Sequence, residues 1–502
     1  MPNVLFDALF APLACREDAF LILPDGSEIT GAAFLATVSR QAHALRAAGL
    51  GAGDRIAVQI AKSPEALAVY GAAIALGAIF LPLNTAYTAE EIDYFLGNAT
   101  PKVFLCDAAK RETLAPVAAR HGANVLTLNA DGTGSLSEAA TGLPDSITPA
   151  DCGPDDLAAF LYTSGTTGRS KGAMLTHRNL LSNAEVLVDL WQFTSDDVLL
   201  HALPIFHTHG LFVASNISLL TGGRMIFLPG FDLEQVLRLM PRATSMMGVP
   251  TFYTRLLEDA RFTRDLAAHM RLFISGSAPL LSETHHQFEA RTGHRILERY
   301  GMTETNMNTS NPYAGERRAG TVGFPLPGVE LRVMADGAEV APGEVGVIEV
   351  RGPNVFKGYW QMPEKTREEL REDGWFITGD LGMIDPDGYV VIVGRAKDLV
   401  ISGGFNIYPK EVELLLDEAP GVLESAVIGL PHPDFGEAVF AVLVAQKGAA
   451  LDAGPALEAI RDRLARFKQP KAAVVVEALP RNTMGKVQKN LLRDQYRDWF
   501  KT

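Results

Sequence analysis

Apolar and polar positions follow two alternating periods over the first 150 residues. Residues 34–50 carry apolar side chains at helical spacing and end in Gly-Leu-Gly, which predicts a helix that stops there. Residues 55–60 and 103–106 are predicted to be strands. The uncharged run 66–81 is only 16 residues long, which is short for a bilayer span and predicts a buried core helix. This βαβ rhythm, which recurs at 245–249 and 272–275, predicts a mainly parallel sheet covered by helices.

The predicted secondary structure of the chain changes at about residue 320 and again at Arg395. The first change brings short strands such as 345–350 and a turn at 385–389, which predict a small antiparallel β subdomain. Beyond Arg395, helices are predicted at 410–419 and 457–467, and strands at 425–429, 440–444 and 473–476. The predicted fold class is therefore α/β. A large domain, 1–394, holds stacked, mainly parallel βα sheets and a β-barrel-like subdomain at about 320–394, and a small α+β domain occupies 395–502.

Composition and charge narrow the class of protein. With 502 residues, 47% of them hydrophobic, the chain can form two or more domains with sizeable cores. Its net charge of −14 argues against nucleic-acid binding, and the acidity lies in the first 394 residues (net −15), since the remainder has a net charge of +1. The first residues lack the pattern of a signal peptide, and three scattered cysteines favour neither disulfides nor zinc, so a cytoplasmic protein without membrane partners is expected.

The strongest chemical signal is the segment 162–172, Tyr-Thr-Ser-Gly-Thr-Thr-Gly-Arg-Ser-Lys-Gly. Its glycines let backbone N–H groups turn towards an anion, its hydroxyls add donors and Lys171 adds positive charge. The spacing is not that of a Walker A loop, and the segment lies between predicted strands at 157–161 and 173–176 rather than before a helix. The pattern indicates a phosphate-binding loop.

This loop resembles the phosphate-binding signature of the acyl-adenylate-forming superfamily of acyl-CoA synthetases, adenylation domains and beetle luciferases. Four further segments resemble the motifs of that superfamily, in the same order along the chain. They are an adenine and magnesium motif at 300–305, a ribose motif at 378–380, a hinge at 394–398 and a lysine motif at 480–486. Five ordered motifs make coincidence implausible, and the resemblance covers nearly the whole chain.

The resemblance implies an ATP-dependent acid–CoA ligase with ATP, Mg²⁺ and CoA as its cofactors. A carboxylate that attacks the α-phosphate of ATP brings two anions together, so positive charge must screen their approach. By resemblance, the catalytic residues are Thr163, Lys171, His207, Glu304 and Lys486, with Glu304 as the Mg²⁺ ligand and Lys486 bridging the carboxylate and the α-phosphate. The implied cofactor-binding residues are Ser164, Gly165, Thr166, Thr167, Gly168, Ser275, Gly276, Ser277, Arg299, Tyr300, Gly301, Thr303, Asp380, Arg395, Gly403 and Gly404.

The resemblance also implies a moving small domain. Lys397 corresponds to the hinge about which that domain rotates between adenylation and thioester formation, and Gly403 and Gly404 would then line the thiol tunnel. Five basic residues on the small domain are candidates for the CoA 3′-phosphate, although a solvated helix face explains them equally well. They are Arg461, Arg463, Arg466, Lys468 and Lys471.

The acid pocket is expected near 202–210, which matches the acid-pocket motif of the superfamily with His207 as its gate. Arg255 is placed on a helix expected to line this pocket, and Ser277 adds a hydroxyl. An arginine inside an acyl pocket is costly unless it meets an anion, which argues for a dicarboxylic acid. The alternative is that Arg255 pairs with Glu258 or Asp259 on its own helix.

Residues 298–310, with the 207–209 and Arg255 segments, resemble malonyl-CoA synthetases. In that subfamily the equivalents of Arg255 and Ser277 hold the distal carboxylate, and Thr208 and Met307 would shape the space at the α-carbon. Arg299 is a second candidate anion partner. The expected reaction converts ATP, malonate and CoA to AMP, diphosphate and malonyl-CoA through malonyl-AMP, with methylmalonate as a further substrate.

Two alternatives stay open, a ligase for another short-chain acid and an adenylation enzyme that loads a carrier protein. The expected partners are the small molecules malonate, ATP and CoA, without nucleic acid, and the expected state is a monomer or a weak homo-oligomer. Lys486 is also a candidate for modification by a protein acetyltransferase.

Overall fold

The structure, a computed structural model, describes residues 2–163, 170–402, 405–482 and 485–500. The chain divides into two compact units. The first comprises residues 1–330 and 350–376, and the second comprises 331–349 and 377–502.

Twenty-five strands are found in the described residues, and the first fifteen belong to the first unit. These fifteen are β1 (Ala19–Ile22), β2 (Glu28–Thr30), β3 (Arg55–Gln59), β4 (Ile79–Pro82), β5 (Val103–Cys106), β6 (Asn124–Thr127), β7 (Leu157–Thr163), β8 (Lys171–Thr176), β9 (Val198–His201), β10 (Arg224–Phe227), β11 (Ser245–Gly248), β12 (Leu272–Ser275), β13 (Leu297–Met302), β14 (Asn306–Ser310) and β15 (Phe324–Pro325). The others are β16 (Glu330–Ala335), β17 (Ala338–Glu339), β18 (Gly346–Arg351), β19 (Phe376–Ile384), β20 (Val390–Arg395), β21 (Val400–Ser402), β22 (Phe405–Ile407), β23 (Val422–His432), β24 (Gly436–Ala445) and β25 (Ala472–Val476).

The α-helices alternate with these strands through most of the first unit. They are α1 (Val4–Leu9), α2 (Gly31–Ala47), α3 (Pro64–Ala75), α4 (Ala89–Ala99), α5 (Arg111–Arg120), α6 (Ser135–Ala140), α7 (His177–Leu190), α8 (Asn216–Thr221), α9 (Leu233–Leu239), α10 (Pro250–Glu258), α11 (Arg264–Ala267), α12 (Ser282–Thr292), α13 (Pro363–Glu369), α14 (Pro409–Asp417), α15 (Ala453–Ala459) and α16 (Lys489–Tyr496). A π-helix spans His209–Ser215, and 3₁₀-helices span Ala11–Cys15, Ala108–Lys110, Met240–Arg242, Ala396–Asp398 and Arg461–Arg463.

Two sheets form the core of the first unit. One has six strands in the order β6-β5-β3-β4-β7-β8, parallel except for the antiparallel β7–β8 pair. The other has nine strands in the order β15-β14-β13-β12-β11-β9-β10-β1-β2, and its run from β13 to β1 is parallel. Parallel strands place their carboxyl ends at one edge of a sheet, where α/β proteins bind ligands.

Buried aromatic side chains fix the nine-stranded sheet against its helices. Phe273 on β12, Tyr253 on α10 and Phe288 on α12 are fully buried and pack edge to face. Such pairs add to the free energy that burial of their apolar area already provides. The same packing orients α10, because Tyr253 and Leu256 face the core.

The second unit holds two smaller sheets. One runs β17-β16-β18-β19-β20, with β17 and β20 at its edges, and the division between the units passes through β18 and β19. The other runs β22-β21-β24-β23, with β25 added in parallel to β24. The long β23–β24 hairpin is apolar on both faces, because helices cover it from two sides.

The predicted α/β class is confirmed, with mixed parallel sheets before a small α+β region. The apolar run at 66–81 divides into the end of α3 and the strand β4, both buried. The predicted helix at 457–467 is wrong over most of its length, since α15 ends at Ala459. There the side chain of Gln469 donates to the carbonyls of Arg461 and Leu464, which a continuous helix would use itself. No described helix is long and apolar enough to cross a bilayer.

Candidate active site

Polar side chains gather at the carboxyl edge of the nine-stranded sheet. They lie in the loop after β9, in the residues after β12 and on β13 and β14. The strands β12, β13 and β14 are neighbours in the sheet. Among them is Ser277, which has a φ of 70°, in the left-handed region that few non-glycine residues adopt. Backbone strain of this kind clusters at functional sites.

The loop after β9 supplies three residues in succession. Thr208 and His209 are buried, and His207 is half-buried. The His209 Nδ1 atom lies 3.2 Å from the Ser277 hydroxyl, while His209 Nε2 and the Thr208 hydroxyl have no hydrogen-bond partner among the described residues. Buried polar atoms are usually hydrogen-bonded, so these two atoms are candidates for contact with a polar ligand.

Arg299 supplies the positive charge of this cluster. It lies on β13 with 4% of its surface exposed, and in the part of the chain that the structure describes its Nε and Nη2 atoms have no partner. The guanidinium occupies space that only a glycine at 276 leaves open, because a Cβ there would stand 2.3 Å from Arg299 Cζ. The Ser275 hydroxyl is also buried and has no partner in the same described residues. Two unused N–H groups on one buried guanidinium match the two oxygens of a carboxylate.

The electrostatics of the cluster are those of an anion site. Burial lowers the pKa of Arg299 to about 9, which leaves the guanidinium charged at neutral pH. Burial, with the charge of Arg299, lowers the pKa of His207 to about 4 and that of His209 well below its usual value. Both imidazoles are therefore neutral near pH 7 and can offer an N–H without adding a second charge.

A second cluster in the same unit surrounds Lys171, the first residue of β8. Its Nζ lies 3.0 Å from both carboxylate oxygens of Glu369 and 4.1 Å from the centre of the Tyr359 ring. The Tyr359 hydroxyl stands 2.5 Å from Glu369 and 3.0 Å from Glu304. With a single proton, this hydroxyl donates to one of the two carboxylates at a time.

Glu304 lies in the tight turn that joins β13 to β14. Its side chain is 5% exposed and its carbonyl accepts from the amide of Phe356. Gly301 makes the turn possible, since a Cβ at that position would stand 1.8 Å from the Asn306 carbonyl oxygen. Tyr300 and Thr303, also expected to contact the nucleotide, flank the same turn, and Met307 is buried on β14. Magnesium prefers carboxylate oxygens, and the position of Glu304 close to Lys171 through Tyr359 fits a ligand of that ion.

The strands that flank the predicted phosphate loop are β7 and β8, and they pair antiparallel with Thr163 opposite Lys171. The Thr163 hydroxyl lies 3.5 Å from the Lys171 carbonyl oxygen. Ser164, Gly165, Thr166, Thr167 and Gly168 lie outside the described residues, as do Gly403 and Gly404.

In the second unit, Asp380 and Arg395 stand opposite each other on β19 and β20. Asp380 is 4% exposed, and Arg395 Nε lies 2.6 Å from its carboxylate. The Thr378 hydroxyl accepts from the Asp380 amide and donates to the Ile348 carbonyl. These contacts fix the direction of a carboxylate that can accept from two vicinal hydroxyls.

Lys397 and Lys486 share the electrostatic surroundings of this pair. Lys397 lies in the 3₁₀-helix after β20, and its neighbour Asp398 forms an ion pair with Arg493 of α16. Desolvation of its ammonium and the charge of Arg395 lower the pKa of Lys486 to about 8, although the residue as a whole is exposed. The amide of Lys486 donates to the Asn482 side chain.

Two profiles of known protein families match this chain. The profile named AMP-binding enzyme matches residues 13–360, and the profile of the AMP-binding enzyme C-terminal domain matches residues 411–486. The chain belongs to the AMP-binding enzyme family.

Three named proteins are similar to this AMP-binding enzyme over most or all of its length. A malonate–CoA ligase of Arabidopsis thaliana is 37% identical over 474 residues, which are 88% of this chain and 78% of the relative. A feruloyl-CoA synthase of Amycolatopsis is 38% identical over 94% of each chain. The crystal structure of ATP-bound MatB from Rhodopseudomonas palustris is 58% identical over the whole of both chains, with a TM-score of 0.98.

Arg255, expected on a helix that lines the acyl pocket, lies on α10 with an exposed side chain. Tyr253 and Leu256 are buried on the same helix, and the Arg255 guanidinium carbon lies 5.9 Å from the centre of the Phe231 ring. The role of Arg255 in the acid pocket stays a prediction. The alternative partner Asp259 is engaged by Arg261 instead.

The basic cluster of the second unit is largely engaged by carboxylates. Arg461 pairs with Glu458, Arg463 with Glu418 and Lys468 with Glu411, at 2.6–2.7 Å. These contacts agree better with a solvated surface than with a dedicated phosphate site.

Sequence reasoning did not single out Glu369 and Tyr359, which contacts between distant segments bring to Lys171. His209 lies within the 202–210 motif, but its contact with Ser277 was not predicted. Glu369 is 198 residues from Lys171, and only the fold joins them.

Proposed function

We propose that this AMP-binding enzyme is a malonate–CoA ligase. The reaction converts ATP, malonate and CoA to AMP, diphosphate and malonyl-CoA through a malonyl-AMP intermediate, and methylmalonate is a second substrate. The similarity to a malonate–CoA ligase of Arabidopsis and to MatB of Rhodopseudomonas palustris supports this proposal.

The observation that carries the proposal is that Nε and Nη2 of the buried Arg299 guanidinium have no partner within the described ranges of the chain. A fatty or aryl acid would leave this buried charge without an anion, at a cost of several kcal/mol. Malonate carries a second carboxylate, which can accept from Nε and Nη2 of Arg299 and from the Ser277 hydroxyl. Thr208 and Met307 then border the α-carbon, where a methyl group distinguishes methylmalonate from malonate.

The first step needs positive charge around two anions rather than a side-chain nucleophile. In our proposal Lys171, with Thr163 and the loop 164–168, holds the β- and γ-phosphates, and Asp380 accepts from the ribose hydroxyls. Mg²⁺, when bound, neutralises phosphate charge, and Glu304 is the residue that would hold it. Lys486 supplies the cation between the carboxylate and the α-phosphate, and His207 gates the acid pocket.

For the second step we propose that the C-terminal domain rotates about Lys397, as the resemblance to the superfamily implies. The CoA thiol would then approach along Gly403 and Gly404 and attack the acyl carbon, releasing AMP. We also propose a cytoplasmic location, a monomer or weak homo-oligomer, and Lys486 as a site for a protein acetyltransferase.

The proposal is tested by CoA-dependent AMP formation with malonate, methylmalonate, succinate, acetate and octanoate, each at several concentrations. We expect the highest kcat/KM with malonate and a smaller value with methylmalonate. A preference for acetate or octanoate would reject the malonate assignment and favour another short-chain or a fatty-acid ligase. Replacing CoA by a phosphopantetheinylated carrier protein tests the carrier-loading alternative, which predicts faster transfer to the protein.

A further inference from the structure

A buried lysine lies behind the acid site and has no role in the chemistry described above. Lys62, between β3 and α3, is 8% exposed. Its Nζ lies 2.8 Å from His201 Nδ1, 2.8 Å from the His201 carbonyl and 2.9 Å from the Leu203 carbonyl. No carboxylate among the described residues forms an ion pair with it, and the aromatic ring of Phe227 lies 4.2 Å away. The three donors of an ammonium thus meet three neutral acceptors.

These contacts determine the tautomer of His201. The Gly210 carbonyl can only accept, so His201 Nε2, which lies 2.8 Å from it, carries the proton of the ring and donates it. Nδ1 of His201 is then the acceptor that faces Lys62 Nζ. The lysine and the histidine therefore form one line of hydrogen bonds from Lys62 to Gly210.

The two ends of this line hold the two ends of one loop. We name residues 203–210 the acid loop, because it carries His207, Thr208 and His209. Lys62 binds the carbonyl of Leu203 at its start, and His201 binds the carbonyl of Gly210 at its end. The ends are already close, since a Cβ at Gly210 would stand 2.0 Å from the Pro204 carbonyl oxygen. Hydrogen bonds from Lys62 and His201 therefore hold the two ends of the acid loop.

We propose that Lys62 is a positioning residue of the acid site, which acts through His201 to fix the acid loop and so the places of Thr208 and His209. The inference rests on the proposed function, because it assigns the loop to the recognition of malonate. A residue that only stabilised the fold would affect the binding of malonate and of ATP equally, whereas Lys62 should affect the binding of malonate alone.

The test compares Lys62→Met with the wild type and with Lys102→Met, an exposed lysine before β5 that contacts neither cluster. Steady-state KM is measured separately for malonate and for ATP. We expect the KM for malonate to rise about tenfold or more in Lys62→Met, since losing one ordering hydrogen bond typically changes an equilibrium by about that factor. The KM for ATP should stay within about twofold, and the ratio of kcat/KM for malonate over methylmalonate should fall.

A second pair of variants tests the line itself. Lys62→Gln keeps two donors and should recover part of the lost affinity for malonate. The double variant Lys62→Met/His201→Gln should be no worse than the poorer single variant, because residues that act as one unit are not additive. If Lys62→Met does not fold, as judged by its thermal transition, Lys62→Gln is compared by the same ratios.

Two results would overturn the proposal. One is an unchanged KM for malonate in folded Lys62 variants, and the other is an equal rise in the KM for malonate and for ATP. Wild-type enzyme that does not turn over malonate at all would instead contradict the proposed function. In that case the same variants are compared with the acid that the wild type activates, and the two failures remain distinct.

Discussion

Replacing Arg299 with methionine tests the acid site most directly. The substitution removes a guanidinium whose Nε and Nη2 have no partner among the described residues, and leaves a shorter, uncharged and unbranched side chain in its space. With malonate bound, we expect each of these N–H groups to donate to the distal carboxylate. The change therefore removes two charge-assisted hydrogen bonds while leaving the phosphate-binding cluster around Lys171 intact.

The expected effect follows from those two bonds. A hydrogen bond to a charged group contributes about 1.5–3 kcal/mol, so the loss is about 3–6 kcal/mol. At about 1.4 kcal/mol for each factor of ten, kcat/KM for malonate should fall about 10²- to 10⁴-fold. A monocarboxylic acid leaves Arg299 unpaired in the wild type, so kcat/KM for propanoate should be unchanged or higher in Arg299→Met. The variant should also melt at a higher temperature, because it no longer buries an unpaired charge.

The assay is release of pyrophosphate with malonate or propanoate at saturating ATP, together with the KM for ATP as a check on the nucleotide site. Arg255→Met is the matched comparison, since Arg255 is the exposed arginine that the sequence alone favoured. We expect it to keep malonate activity within about threefold, as surface substitutions usually do. Retained malonate preference in Arg299→Met, or its loss in Arg255→Met, would refute the assignment of the carboxylate to Arg299.

Three further substitutions test other residues of the proposed function. Gly276→Ala should depress kcat/KM for malonate, because the new Cβ would stand 2.3 Å from the present position of Arg299 Cζ and force the guanidinium away. Glu369→Gln should lower the KM for ATP by about fivefold, since the carboxylate that now holds Lys171 contributes about 1 kcal/mol at this exposure. For Lys486, whose pKa is lowered to about 8, kcat/KM in the adenylation half-reaction should fall above pH 8 as the ammonium loses its proton. Lys486→Arg should move that fall to higher pH.

Two of these substitutions have a matched control variant. Gly230→Ala places a methyl group where nothing lies within 4 Å, so it should leave malonate activity unchanged. Glu368→Gln removes an exposed partner of Lys365 on the same helix and should not alter the KM for ATP. A higher KM for ATP in Glu369→Gln would mean that Glu369 orients Lys171 rather than competing with phosphate. A flat pH profile up to pH 9.5 would contradict the lowered pKa of Lys486.

Local periodicity was sufficient for much of the fold. Short apolar runs such as 103–106 and 272–275 became strands at the predicted positions, because burial on both faces of a parallel sheet leaves no polar alternative. The helix at 457–467 failed because a side chain outside it, that of Gln469, binds two of the carbonyls that a helix needs. Gln469 is only eight and five residues from these carbonyls, but hydrophobic periodicity does not record a side chain that binds the backbone.

For the site as well, the sequence indicated residues that are close together in the chain and did not indicate contacts between distant segments. The motifs indicated Glu304, Asp380 and the phosphate loop, because their chemistry depends on residues adjacent in the chain. Arg255 and Arg299 differ in burial, since the first side chain is exposed and the second residue is 4% exposed, and no local pattern in the sequence indicated that difference. The contact of Lys62 with His201 spans 139 residues and has no local signature.

The backbone at Ser277 has a consequence for how this site can evolve. A left-handed conformation costs a serine roughly 1 kcal/mol that a glycine would not lose. Ser277→Gly would therefore be favoured by selection for thermal stability alone, yet it would remove the hydroxyl that lies 3.2 Å from His209 Nδ1. Directed evolution for heat resistance should thus drift towards glycine at 277 and towards weaker discrimination among acids, unless growth on malonate is selected in the same experiment.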